Sequence, residues 1–215
     1  MELPALLTPT ALQSWIQPHY RTPNYMRQLR IQFVKQQPFP YLELPDFFHF
    51  EKAVEIVKAL TEELFEPKEA DLFQFKQTAD LRSTQNQILQ SFRKFLASTE
   101  FTSYISYITS TTLKPRHLDA SGTLYEDTDY LLCHDDRLDT RTIAYFYYLS
   151  SLEKNDGGGL NLFECKNSVP VRIGKTITPV FNTLALFLVS KHSFHEVAEV
   201  VRDVQRLALS GWFHD

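Results

Sequence analysis

The sequence predicts an α+β fold in which a helical N-terminal half buttresses a C-terminal antiparallel β core. Three observations carry this expectation. Up to about residue 110, apolar side chains recur at helical spacing in several segments. From about residue 115 onward, short runs rich in β-branched and aromatic residues alternate with turn signals at spacings of about ten residues, the texture of an antiparallel sandwich or barrel. The composition agrees, since 17 Phe, 10 Tyr and 2 Trp stand against 6 Gly in 215 residues. That aromatic excess suits packed strands more than a Leu/Ala helix bundle.

The elements follow in order. Leu12, Trp15, Ile16 and Tyr20 predict a helix over residues 10–20, with Pro23 ending it. Residues 24–36 stay open between two periods: LRIQFV alternates like a strand, while Tyr25, Leu29 and Phe33 recur every four residues. The basic residues there (Arg21, Arg27, Arg30, Lys35) read as a solvated face. The proline-punctuated PFPYLEL, 38–44, reads as a short edge strand. Phe50, Val54, Val57, Leu60 and Leu64 predict an amphipathic helix starting near Pro45–Asp46. Two more helices are expected, over 84–97 (Ile88, Phe92, Phe95, Leu96) and 100–109 (Phe101, Tyr104, Ile105, Ile108). The expected strands are YLLCH, TIAYFYYLS, LNLFE, TITPVF, LALFLVS and RLALSGWF.

Composition also removes several function classes. At 43% hydrophobic and 22% charged the chain is globular, and a formal charge of -4 offers little to neutralise many phosphates. No direct nucleic-acid binding is therefore expected. No apolar run approaches the roughly 18 residues of a membrane span. MELPALLTPT lacks the basic start and small-residue cleavage site of a signal peptide. Cys133 and Cys165 are too few for a disulfide framework. A cytoplasmic protein without membrane partners is the expectation.

Among seven histidines one stands out, His134 in Cys133-His134-Asp135-Asp136, at the end of the strand YLLCH. Side chains at i and i+2 of a strand share a face, so His134 and Asp136 are expected to project together, with Tyr130 and Leu132 on the same parity. An imidazole nitrogen and a carboxylate side by side form two legs of a 2-His-1-carboxylate triad, which suits Fe(II) with coordination positions left open. The third leg must come from another strand. His195, in Ser193-Phe194-His195-Glu196-Val197, and His192 both offer it. A His-x-Asp pair alone is a weak signal, because such pairs occur by chance on solvated surfaces.

Support comes from Arg206, which heads the strand RLALSGWF. Its parity partners are Ala208, Ser210 and Trp212, while Leu207, Leu209 and Phe213 take the other face. An arginine heading the polar face of an apolar strand is costly to bury unless it meets a carboxylate, which guanidinium binds bidentately. The run Asp156-Gly157-Gly158-Gly159 lacks the companions of a phosphate loop and reads as a hairpin turn. Cys133, of opposite parity to His134, reads as a structural thiol. Ser193 has no nucleophile elbow around it.

The string from Tyr125 to Asp136, then DGGGLNLFE, SFHEVAEV and RLALSGWF, resembles the 2-oxoglutarate- and Fe(II)-dependent prolyl hydroxylases, most closely the subfamily acting on a small-subunit ribosomal protein. The likeness runs from about Pro38 to the C-terminus and includes LFQFKQTADL at 72–81. The resemblance implies a double-stranded β-helix (jelly-roll) core with supporting N-terminal helices. It divides the chain into a helical extension, 1–36, and a catalytic domain, 37–215. It implies that His134, Asp136 and His195 bind iron, with His195 preferred over His192 by its Ser-Phe-His-x-Val frame. It implies that Arg206 and Tyr148 contact the distal carboxylate of 2-oxoglutarate, that Tyr125 faces this cosubstrate, and that Ser210 is a lesser hydroxyl contact. Parity agrees for Tyr148, which shares a face with Phe146 and Ala144, whereas Tyr145 and Tyr147 point away.

The implied cofactors are Fe(II), 2-oxoglutarate, O2 and, by family habit alone, ascorbate. The implied reaction is hydroxylation coupled to conversion of 2-oxoglutarate to succinate, and the implied partner is a protein bearing a target proline, a ribosomal protein of the translation machinery. Asp136 favours hydroxylation, because halogenating members of the family lack that carboxylate. Two departures stand out. Ala208 occupies a position where the ribosomal-protein enzymes often carry a hydroxyl residue, and the second, non-catalytic barrel of the eukaryotic enzymes does not follow Asp215 here. The competing readings are a hydroxylase of a small molecule such as a free amino acid, and a non-catalytic jelly-roll binding module. A mobile, closing loop over residues 66–84 would favour the protein target.

Overall fold

The helices and strands of the C-terminal half wrap around two separate apolar cores. The structure, a computed structural model, describes residues 10–138 and 140–215. The helical half begins with α1 (Thr10–Trp15) and a 3-10 turn (Pro18–Arg21), followed by α2 (Pro23–Lys35). The ambiguous stretch 24–36 is thus a helix. Its start explains why: the Thr22 hydroxyl accepts from the Tyr25 amide and Pro23 occupies the first turn, where a missing N–H costs nothing. Met26, Leu29 and Phe33 form its buried stripe.

Further along, α3 (Phe50–Thr61), α4 (Gln87–Leu96) and α5 (Thr99–Thr109) complete the helical layer. α4 and α5 start at Asn86 and Ser98, whose side chains accept from amides of the first turn. α3 corrects the expected face. Its buried residues are Ala53, Ile56, Ala59 and Leu60, whereas Phe50 and Val54 are exposed. Leu64, also exposed, lies beyond its end. The helix carries two apolar stripes, and the one with small alanines allows the closer approach to the core. Phe50 turns outward onto Phe181, ring centroids 5.9 Å apart.

The strands are β1 (Tyr41–Leu44), β2 (Glu66–Ala70), β3 (Phe73–Gln77), β4 (Ser121–Tyr125), β5 (Tyr130–His134), β6 (Arg141–Tyr148), β7 (Leu160–Lys166), β8 (Val169–Ile177), β9 (Thr183–Leu188), β10 (His195–Val197) and β11 (Arg206–His214). They run β1-β9-β6-β11-β4-β3-β5-β10-β7-β8, with β2 a hairpin partner of β3, and their pairings are antiparallel. PFPYLEL does end in an edge strand, since β1 closes one end of this path. The other end curls back to meet it: Lys175 of β8 and Glu43 of β1 form an ion pair at 2.8 Å. The path therefore closes into a near-barrel, the jelly-roll expected. Within the stretch 66–84, where a mobile loop would have favoured a protein target, residues 66–77 form the β2–β3 hairpin. TITPVF contributes only Thr176 and Ile177 to β8, because Pro179 cannot donate to a ladder.

Alternate residues of the central strands feed the two cores. Tyr145 and Tyr147 of β6, Leu184 and Leu186 of β9, and Leu207, Leu209 and Phe213 of β11 pack outward against the helices. Ala144, Phe146 and Tyr148, Ala185 and Phe187, and Ala208 fill the barrel interior. A strand presents successive side chains to opposite faces, so this division follows from the period of two.

Candidate metal centre and active site

His134 ends β5 and faces His195, the first residue of β10, as its cross-strand partner. Pairing between these strands slips by one residue: Val197 lies opposite Leu131, so two steps on β10 match three on β5. This bulge corrects the parity expected on β5. Leu131, not Leu132, joins His134 on the barrel interior, while Tyr130 and Leu132 line an outer groove with Glu196. Asp136, just past the strand, still turns inward. One ligand atom from each of His134, Asp136 and His195 lies within 4.8 Å of the others.

Each imidazole is oriented by a backbone carbonyl. His134 Nδ1 lies 2.8 Å from the Leu132 oxygen and His195 Nδ1 2.9 Å from the Ser193 oxygen. A carbonyl only accepts, so Nδ1 carries a proton in both rings and Nε2 is the atom turned inward, with a lone pair to offer when the ring is neutral. The Nε2 atoms of His134 and His195 stand 3.5 and 3.4 Å from the two Asp136 oxygens. Ser193, buried, bonds only to Ser190 through its hydroxyl, and serves the turn that aims His195.

Electrostatics prepare the set for a cation. Burial pushes the Asp136 carboxyl up, but the His134 bond, the His195 and His134 charges and the Trp212 indole outweigh it and hold the group at about 2. Burial pushes His195 down to about 4, with the charge of His134 adding to it. Burial also lowers His134, but the Asp136 bond and charge more than offset that and raise it. An ionised carboxylate and a neutral buried imidazole are the donor forms that a divalent metal needs, and two nitrogens with one oxygen match the facial triad.

These three residues open into a cavity of about 70 Å³, also lined by Phe75, Gln77, Thr123, Tyr125, Ser210 and Trp212 among others. Ser210 and Tyr125 are thus on its wall. Arg206 and Tyr148 are not; they lie fully buried behind it, where the guanidinium carbon sits 5.0 Å from the Tyr125 ring centre, 5.8 Å from Phe146 and 5.2 Å from Tyr148. Arg206 Nε donates to the Gly158 carbonyl at 2.7 Å, but Nη1 and Nη2 have no partner, nor does the Tyr148 hydroxyl. Burial also raises the Tyr148 hydroxyl to about 12, opposed by the Arg206 charge, so it remains a donor. A buried cation with unmet donors is a costly arrangement without an anion to complete it. This pocket base therefore fits a carboxylate.

Other candidates resolve simply. His192 is exposed and lines a different groove with Cys165 and Pro38. Cys133 is half-buried, with its thiol pushed up to about 11 by burial, and takes no part in the triad. Gly158 is a residue that sequence reasoning missed. Its DGGG context signalled only a turn, and nothing in a sequence shows where one carbonyl points.

The fold and this constellation define the class of the domain, a jelly-roll barrel with a candidate 2-His-1-carboxylate metal centre. Residues 120–214 match the 2OG-Fe(II) oxygenase superfamily, and the chain carries a domain of that superfamily. Prolyl 3-hydroxylase OGFOD1 of Xenopus laevis is 40% identical over 184 residues, 82% of this chain and 35% of that protein. Prolyl 3,4-dihydroxylase OGFOD1 of Ostreococcus tauri is 34% identical over 209 residues, 89% of this chain and 41% of that protein. The chain thus spans between a third and two-fifths of the length of these relatives. A Trichoplax adhaerens prolyl hydroxylase solved with a hypoxia inducible factor peptide superposes with a TM-score of 0.69 at 18% identity, covering 89% of this chain and 91% of that one. A Pseudomonas putida prolyl-4-hydroxylase gives 0.66 at 21% identity, covering 86% and 98%. Both likenesses show the jelly-roll fold.

Proposed function

We propose that this chain is the catalytic part of an Fe(II)- and 2-oxoglutarate-dependent dioxygenase that hydroxylates a prolyl residue of a protein of the translation machinery, with residues 37–215 as its catalytic domain and 1–36 as a helical extension. The observation that carries the oxygenase reading is the buried Arg206, with two unpaired guanidinium nitrogens behind the His134–Asp136–His195 triad. The prolyl target is supported by the relatives, which are named as prolyl hydroxylases. The ribosomal target rests on the motifs shared with that subfamily.

His134 and His195 through Nε2, and Asp136 through a carboxylate oxygen, would hold the metal. Bound Fe(II) supplies O2 activation coupled to oxidative decarboxylation of 2-oxoglutarate to succinate. Arg206 and Tyr148 bind and orient the distal carboxylate, Tyr125 packs the guanidinium from the cavity side, and Ser210 offers a hydroxyl on the wall. The Leu132 and Ser193 carbonyls keep both histidines in one tautomer.

The test is succinate formation by the Fe(II)-loaded protein with ribosomal proteins, proline-containing peptides or free amino acids as substrate pools, alongside His134→Ala and Arg206→Ala. Turnover stimulated by the ribosomal fraction, with one oxygen atom added at a peptidyl proline and loss in both variants, is the expected result. Stimulation by a free amino acid alone would replace the protein target with a small molecule. Metal binding without any turnover would return the domain to a binding role.

A further inference from the structure

The chain carries 26 acidic against 22 basic side chains, yet one surface reverses that balance. Two grooves, each of about 480 Å³, share Arg82, Arg93 and Arg116 on their walls. Among the described residues the first adds Lys94 against the single acid Glu100. The second adds His117 and His214 against Asp119. The sequence builds this surface locally. α4 buries Leu89, Phe92, Phe95 and Leu96, which leaves Gln90, Arg93 and Lys94 to line the first groove. Arg82 comes from the 3-10 turn Leu81–Ser83. Arg116 lies in the loop before β4, its amide donating to the Ala97 carbonyl at 2.9 Å and its φ at +69°. A left-handed backbone costs a residue with a Cβ about 1 kcal/mol.

Two of these cations are anchored within the fold. Arg82 Nε donates to Asp80 at 3.0 Å and its Nη2 to Asp119 at 3.3 Å, while Arg93 Nη2 donates to the Leu118 carbonyl at 3.2 Å. Lys94 and Arg116 differ. Both are exposed, and within the described residues neither side-chain charge has a hydrogen bond or an ion pair. The second groove also leads toward the metal cavity. Its wall includes Thr140, whose hydroxyl lies 2.9 Å from His214 Nδ1. The next residue, Arg141, places its guanidinium carbon 3.4 Å from the Trp212 ring centre, and Trp212 lines the cavity.

We propose that the two grooves form one docking surface for an acidic peptide segment of a protein partner, with Lys94 and Arg116 as the free cations that meet its carboxylates. Charge complementarity of this kind sets partner choice and speeds encounter. The arginines held by Asp80, Asp119 and Leu118 supply fixed forks along the same path. A peptide suits the surface better than a nucleic acid. Glu100 and Asp119 interrupt the basic walls, and a backbone with a phosphate on each residue would meet them, whereas acidic side chains can be spaced around them. The surface lies outside the metal cavity, so the inference stands apart from the reaction proposed above.

The experiment titrates the full chain into three probes carrying the same fluorescent label, octaglutamate, octalysine and an eight-residue oligouridylate, and reads anisotropy at low and high salt. Wild type is compared with the double variant Lys94→Glu/Arg116→Glu. A control, Lys35→Glu/Lys166→Glu, makes the same change in net charge at two exposed lysines elsewhere. The expected result is binding of octaglutamate that salt weakens, no binding of octalysine, and an affinity at least about tenfold lower in the Lys94/Arg116 variant. The control should stay within about twofold of wild type. Both reversed side chains are exposed and unpaired, so the melting temperature of the Lys94/Arg116 variant should match that of wild type. Equal loss in the control would reduce the effect to net charge and overturn the inference. Absence of octaglutamate binding to wild type at low salt also overturns it. Tighter binding of the oligouridylate, lost in the Lys94/Arg116 variant, would assign the surface to nucleic acid instead.

Discussion

Arg206 Nε donates to the backbone carbonyl of Gly158 at 2.7 Å, and this is the guanidinium's one hydrogen bond in the described structure. The bond fixes one edge of the group and leaves the two Nη atoms directed elsewhere, beneath the cavity that the metal triad opens into. Gly158 reaches this position with φ of +66°, next to Gly157 at +76°. The two glycines are thus part of how the arginine is aimed.

Gly158→Ala should disturb that aim. The left-handed backbone penalises any Cβ, and an added Cβ would meet Leu152 Cδ2 at 2.7 Å and Arg206 Cδ at 3.3 Å. The expected cost is about 1–2 kcal/mol of stability. Affinity for 2-oxoglutarate should fall several-fold while Mn(II) affinity holds. Thermal melts and titrations decide; a variant with wild-type affinity would show that the carbonyl does not position the guanidinium.

Arg206→Met tests the same base from the other side. Removing a buried, under-satisfied cation relieves a desolvation cost, so the metal-free variant should be as stable as wild type or more so. Its affinity for 2-oxoglutarate should drop about 100-fold, which is roughly 2.7 kcal/mol. Arg206→Lys should recover little of it, because a point charge does not reproduce the planar fork. A destabilised Arg206→Met with intact affinity would assign the arginine to folding instead.

Much of this site was legible before the structure because the strands that carry it are regular. On β6 and β11 the period of two placed Tyr148 with Phe146, and Arg206 with Ala208 and Ser210, on the interior face. The same reasoning failed on β5, where one extra residue swaps Leu131 for Leu132; a bulge leaves no mark in the residue types. α3 misled for a different reason: Phe50 and Val54 lie on its exposed side, while Ala53 and Ala59 share the buried stripe with Ile56 and Leu60. β8 escaped because Pro170 and Gly174 interrupt it and its apolar Val169, Val171 and Ile173 lie exposed. β10, with three residues, is too short for any period. The carbonyls of Leu132, Gly158 and Ser193, which aim three functional side chains, belong to the backbone and have no sequence signature.

Metal removal should be felt in folding as well as in activity. A ligand bound only by the native state stabilises by mass action, about 4 kcal/mol at a thousandfold excess over its dissociation constant. Mn(II) should therefore raise the melting temperature of wild type, chelation should reverse it, and Asp136→Ala and His195→Ala should show no response. Asp136→Ala removes the one carboxylate between two imidazoles, so it should lose the metal most completely. A metal-dependent shift surviving in either variant would place the ion elsewhere.

The acid response of the helical support can be read from Asp80, away from the metal. Burial pushes its carboxyl up, but bonds from the Arg82 amide and guanidinium and the Ala120 amide outweigh this and hold it below its ordinary value. Those bonds cap the turn Leu81–Ser83 and pin Ala120, directly before β4 with Thr123 and Tyr125. With the native value lowered, the unfolded chain takes up the proton first as pH falls. The contribution is therefore whole above the ordinary value of about 3.9 and is lost as pH drops through the lower native value. Asp80→Asn should cost about 1–2 kcal/mol near neutral pH. Its gap from wild type in chemical denaturation should close progressively below about pH 4. Were the gap to stay constant into that range, the carboxylate's charge would not be what holds β4 in register with the site.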